Sequence, residues 1–105
     1  MKKLIFCALL LGLFATDAEA AKGVVVYAPS QCHDYFVVET NLGFDLLEWF
    51  GGHLPNEGER IIGEFESYGM KDVYVLPNGQ SMKVWVEDYW LTTDSAARKL
   101  REKCQ

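Results

Sequence analysis

Asp72-Val73-Tyr74-Val75-Leu76-Pro77-Asn78-Gly79-Gln80-Ser81-Met82-Lys83-Val84-Trp85-Val86-Glu87 is the stretch that decides the fold class. Two runs rich in β-branched and aromatic residues flank Pro77-Asn78-Gly79, the clearest turn signal in the chain, and the pattern predicts a hairpin. In the second run Met82, Val84 and Val86 share one face, while Ser81, Lys83, Trp85 and Glu87 share the other. The first set is apolar and is expected in the core. The second places a tryptophan on an outer face, with Tyr74 expected as its cross-strand neighbour.

The same signals recur toward the N-terminus. Val24-Val25-Val26-Tyr27, stopped by Ala28-Pro29-Ser30, predicts a short first strand. Tyr35 to Thr40 and Phe44 to Phe50 flank Asn41-Leu42-Gly43 and predict a second hairpin. Gly51 to Gly58 reads as the longest loop, with His53 and Leu54 at its tip. Arg60 to Glu66 half-alternates, and Gly63 inside it marks a bulge, a bend or a close backbone approach. Toward the C-terminus the character changes: residues 94–104 predict one helix, capped by Thr93 or Asp94, with Ala97, Leu100 and Cys104 as its apolar stripe. Asp94 near its start and Arg101 and Lys103 near its end complement the helix dipole.

Five or six short strands followed by one helix predict an all-β fold: a small, partly open barrel of SH3-like or OB-like type with a C-terminal α-helix. An α+β sheet with one covering helix is the other arrangement considered. The strings Leu47-Glu48-Trp49-Phe50-Gly51-Gly52, Gly58-Glu59-Arg60-Ile61-Ile62-Gly63 and Val86-Glu87-Asp88-Tyr89-Trp90-Leu91 resemble small secreted bacterial proteins without an assigned activity. The Gly58 to Gly63 piece is also similar to strand-entry segments of SH3-like and OB-like barrels, with Glu59 where those usually carry Asp. The resemblance implies a fold; it carries over no functional residue.

Residues 1–20 read as an address. Lys2 and Lys3 precede an apolar run from Leu4 to Ala15, and Ala18 and Ala20 are the small residues before a cut after Ala20. The run falls short of the roughly 20 residues that cross a bilayer, so a cleaved signal peptide is expected rather than an anchor. Residues 21–105 then form a single domain, secreted or periplasmic, with no transmembrane segment. Cys7 leaves with the leader, and Cys32 and Cys104 are expected to form one structural disulfide in an oxidising compartment.

Composition excludes some functions. The 105 residues carry 10 Lys+Arg against 15 Asp+Glu, a formal charge of −5. That is the wrong sign for a nucleic-acid binder. The chain is also too short for a barrel enzyme or a doubly wound nucleotide fold. Between Asp34 and Asp94 there are twelve acidic and three basic residues, whereas Arg98 to Lys103 holds four basic and one acidic. Either the basic helix lies over an acidic sheet face, or one of the two charged surfaces is offered to a partner.

No motif for chemistry is evident. His33 and His53 lie far apart without metal-ligand spacing, no nucleophile elbow occurs, and Gly51-Gly52 opens no helix, so no metal and no cofactor are expected. Glu48, flanked by apolar residues, and Glu87 are the carboxylates an acid-using hydrolase would employ. The stronger signal is aromatic. Tyr74, Trp85, Tyr89 and Trp90, with Glu87 and Asp88 as polar partners, form the expected contact surface for a protein, a peptide or a cell-wall glycan. The expectation is a non-catalytic binding module of the bacterial cell envelope. The rivals are a small envelope hydrolase and an assembly subunit that pairs through a sheet edge.

Overall fold

Alternating apolar residues can be buried in a short chain only if the sheet curls on itself, and that is the arrangement in the computed structural model, which describes residues 20–29 and 32–105. The expected leader, residues 1–20 with Cys7, lies outside the described residues except for Ala20. Six antiparallel strands follow in order: β1 Ala21–Tyr27, β2 Tyr35–Thr40, β3 Gly43–Gly52, β4 Arg60–Gly63, β5 Gly69–Leu76 and β6 Ser81–Leu91. One helix, α1 (Thr93–Lys103), ends the chain.

The barrel is closed, in the order β1-β2-β3-β6-β5-β4 with β4 returning to β1. Two three-stranded meanders are thus joined along β3–β6 and along β1–β4, where Lys22 faces Ile62 and Gly23 faces Ile61. A partly open barrel was the expectation; the β1–β4 seam closes it. Closure satisfies backbone groups that an open edge would leave to solvent or to another chain.

The inward positions are those that alternation assigns. Val25, Phe36, Val38, Leu47, Ile61, Phe65, Val73, Val75, Met82, Val84 and Val86 form one buried cluster. Phe65 lies just beyond the end of β4 yet is fully buried, so the chain continues inward after Gly63. Gly63 is a close approach: a Cβ there would lie 3.1 Å from the Asp72 carbonyl oxygen. Gly43, at φ +135°, begins β3 in a conformation that side chains resist, with Leu91 O only 2.8 Å from where its Cβ would stand.

The helix packs against β2, β3 and β6. Val37 and Leu46 are paired across β2–β3 and point away from the core cluster, yet both are buried. Its N-cap is Thr92, one residue before the expected candidates, and the Thr92 hydroxyl accepts from Ser95 N at 3.1 Å. Ala96, rather than the expected Ala97, is its buried residue. Cys32 and Cys104 meet at disulfide distance with Cα atoms 4.8 Å apart, tying the end of α1 to the segment after β1. No helix among the described residues is long and apolar enough to cross a membrane.

Candidate functional site

Strand β6 carries five of the six expected contact residues, and its register decides where each goes. Up to Val86 the strand pairs one-to-one with β5, while β3 slips once against it between Trp49 and Gly51; Met82, Val84 and Val86 are buried and Trp85 is 39% exposed on the outer face. Its cross-strand neighbours are Met70 on β5 and Glu48 on β3. Tyr74, expected beside Trp85, instead faces Ser81 near the turn. The direction was right but the rung was wrong, because the hairpin pairs outward from Tyr74–Ser81 and reaches Trp85 only at Met70.

This outer face is more apolar than the hairpin alone suggested. Met70 and Tyr74 are each 45% exposed and Phe50 53%. Lys83 and Asp72 are paired across the strands at 2.8 Å in the midst of these groups. A shallow depression of about 590 Å³ opens beside Met70 and Tyr74, and one of about 270 Å³ opens beside Phe50 and Lys83. Phe50 and Met70 were missed because each lies in a short run read for its own strand, without the neighbouring strand that sets Met70 opposite Trp85 and Phe50 beside Lys83.

Beyond Val86 the register breaks twice. Leu47 faces Val86 but Leu46 faces Asp88, and Phe44 then faces Leu91, so β6 carries extra residues against β3. These bulges bend β6 and separate the remaining expected residues. Glu87 turns to the helix, where Lys103 Nζ lies 3.1 Å from its carboxylate and 5.4 Å from the centre of the Tyr35 ring. The Glu87 hydrogen bond holds the Lys103 pKa above its ordinary value. Asp88 accepts from Tyr68 Oη at 3.1 Å and from Tyr89 N at 2.9 Å, and pairs with Lys99 at 3.4 Å. The same bond raises the Tyr68 pKa, since Asp88 favours the neutral phenol. The acidic strand end and the basic helix therefore meet within the molecule.

Tyr89 packs against the core, its ring 4.8 Å from Tyr68 and 5.0 Å edge-on from Trp90. Trp90 is 55% exposed and has φ +59°, a left-handed conformation seldom adopted by so bulky a side chain. The six residues thus divide among three places: Tyr74 and Trp85 on the open β3–β6–β5 face, Glu87 against α1, and Asp88, Tyr89 and Trp90 with Tyr68 at the bulged end.

One chemically distinctive residue was not anticipated. Asp45 is fully buried, the only charged side chain so placed among the described residues. Its Oδ1 accepts from Trp90 N at 3.0 Å, while Oδ2 has no hydrogen-bond donor among the described residues. Burial raises its pKa to about 8; the Trp90 N–H opposes that shift, and the nearby carboxylates of Glu66 and Asp88 add to it. Alternation was the available signal. Leu47 and Trp49 take inward positions on β3, and Asp45 lies two residues before Leu47.

The other chemical candidates are placed as follows. Glu48 is half-buried at the outward register position between Tyr35 and Trp85. His53 Nε2 lies 3.0 Å from Glu59, whose pKa is lowered: burial works against the shift, and the Asn56 N–H and His53 outweigh it. Trp49 Nε1 donates to His53 O at 3.0 Å, fixing the loop to β3. Among the described residues no group of three or more His, Cys, Asp or Glu is arranged to hold a metal ion. No protein-family model, curated protein or solved structure matches the chain.

Proposed function

We propose that the chain is an exported, non-catalytic binding module of the bacterial envelope, and that its β3–β6–β5 outer face takes a protein partner. The observation that carries this is the clustering of Trp85, Met70, Phe50 and Tyr74 on one uncovered face around the Lys83–Asp72 pair. Their inward neighbours Val73, Val75, Met82, Val84 and Val86 already fill the core, so the outer residues are not needed to build it. Aromatic and methionine side chains are enriched where protein surfaces meet, and a flexible thioether suits a protein contact better than a sugar ring. The leader-like residues 1–20 and the Cys32–Cys104 pair support export to an oxidising compartment.

The rival hydrolase reading draws little from the geometry. Glu87 is held by Lys103, and Glu48 lies at a half-buried outward position between Tyr35 and Trp85, with no second free carboxylate placed opposite it among the described residues of β2 and β6 that it pairs with. Pairing through a sheet edge loses its basis in a closed barrel.

Photo-crosslinking on living cells tests the binding reading. A crosslinking side chain at position 70 or 85 is expected to trap the same partner, one at Arg101 is not, and Trp85→Ala is expected to abolish trapping from position 70. Equal trapping from all three positions, or trapping unaffected by Trp85→Ala, would overturn it. Peptide mass analysis of the exported protein checks the other half: the expected N-terminus is Ala21, with Cys32 linked to Cys104.

A further inference from the structure

Asp45 occupies an inward position of the barrel wall, paired across β2–β3 with the core residue Val38. An ionised carboxylate there would need several donors, and the site provides one, the Trp90 N–H on Oδ1. No ion pair is made by Asp45 among the described residues. The charged groups that face it are both acidic. Glu66, from the segment between β4 and β5, is brought beside it by Thr40, which holds the Glu66 carboxylate at 2.9 Å. Thr40 stands two residues along β2 from Val38, the cross-strand partner of Asp45, and Asp88 approaches from β6. Asp88 is already engaged by Tyr68, Tyr89 N and the helix residue Lys99, whereas Glu66 receives the Thr40 hydroxyl at 2.9 Å.

A proton resolves this arrangement. A neutral Asp45 presents Oδ2–H as a donor, Glu66 accepts it as a carboxylate, and Thr40 completes the acceptor's partners from the end of β2. We propose that Asp45 and Glu66 share one proton, and that this pair is a pH-sensitive latch for the bulged end of β6. In the proton-held state Oδ1 keeps the Trp90 N–H while Oδ2–H, through Glu66 and Thr40, ties the β4–β5 segment to the β2–β3 turn. Loss of the proton sets two carboxylates against each other beside a buried wall. The elements then pushed apart are β3, whose Asp45 holds Trp90, and the segment that carries Glu66 and Tyr68, and Trp90 already stands in a strained backbone conformation that its one Asp45 bond helps to hold. The exposed aromatic end would differ between acidic and alkaline surroundings, independently of the proposed binding face.

The test is a pH titration of backbone amide shifts by ¹H–¹⁵N NMR, comparing the wild type, Asp45→Asn and Glu66→Gln. Asn keeps the acceptor for Trp90 N and a donor toward Glu66, so it mimics the protonated state without titrating. The Trp90 amide of the wild type is expected to titrate with a midpoint between about pH 6 and 9, far above an ordinary aspartate. Asp45→Asn is expected to remove that transition. Glu66→Gln removes the like charge and offers an N–H, so the midpoint is expected to fall by about one unit or more. Because Glu66 is only half-buried, this second variant tests the latch even where Asp45→Asn folds poorly. A Trp90 amide that titrates only near pH 4, an unchanged transition in Asp45→Asn, or an unchanged midpoint in Glu66→Gln would overturn the proposal.

Discussion

The two halves of β6 obey different rules although one strand carries both. From Ser81 to Val86 it pairs one-to-one with β5, and its side chains alternate strictly between core and outer face. From Glu87 to Leu91 it slips twice against β3, hands Glu87 and Asp88 to the helix, and leaves Trp90 in the left-handed region. The regular half builds the barrel and offers a surface as a by-product. The bulged half is held by specific polar bonds: Asp45 to Trp90, Asp88 to Tyr68 and Tyr89, and two lysines of α1. Apolar packing should dominate the energetics of the first half, and charge and pH those of the second.

Substitutions in the regular core should have the largest effects. Met82→Ala empties a fully packed inward position and is expected to cost about 2–5 kcal/mol of folding stability, measured by denaturant unfolding. A comparable effect belongs to the tie on α1. Replacing Cys32 and Cys104 by Ser frees a long loop of unfolded chain, with an expected loss of roughly 4 kcal/mol, while the barrel's circular dichroism is retained in native buffer. A loss below about 1 kcal/mol would mean that α1 is held by its lysine pairs and packing alone.

The bulged half should respond to pH instead. Asp45 binds its proton more tightly folded than unfolded, so the native state holds more protons between the unfolded aspartate pKa and about 8. Stability therefore falls as pH rises through that window, by at most about 1.4 kcal/mol per pH unit, and Asp45→Asn flattens the slope. Glu59, whose folded pKa is lowered, acts in the opposite sense, losing its contribution as pH falls below the usual glutamate range. The two effects are separable because they occupy different windows. The smallest effect is expected at Trp85: Trp85→Ala should change stability by no more than about 1 kcal/mol. A loss of several kcal/mol would place Trp85 among the supports of the barrel and remove the case for a free binding face.

The difference between the halves also explains what was legible in the chain. The β5–β6 hairpin, the β2–β3 hairpin, the Met82–Val84–Val86 face and the outward Trp85 all follow from period-two alternation bounded by turn residues, which is local information. The Cys32–Cys104 pairing followed from there being only two cysteines after the expected leader. Bulges are different. Nothing within Glu87 to Leu91 states that β3 will oppose it with fewer residues, so Tyr89 and Trp90 were grouped with Trp85 when they belong with Tyr68. Tyr74 was placed beside Trp85 for want of the hairpin's register. Asp45 was overlooked for another reason: a lone carboxylate in Phe44-Asp45-Leu46-Leu47 reads as a solvent position until alternation is counted back from Leu47. Closure of the barrel through β1 and β4 depends on strands distant in sequence, and half-alternation in four residues does not reveal it.

The contrast between the two halves rests on the state of Asp45, and the ¹³C carboxyl shift of that side chain, followed across pH in the oxidised protein, reads it directly. A single transition centred near 8 is predicted, with the Asp45 carboxyl neutral through most of the acidic range. A transition near the ordinary aspartate value of about 4 would contradict the account, because an ionised Asp45 at neutral pH needs donors that the bulged end does not provide.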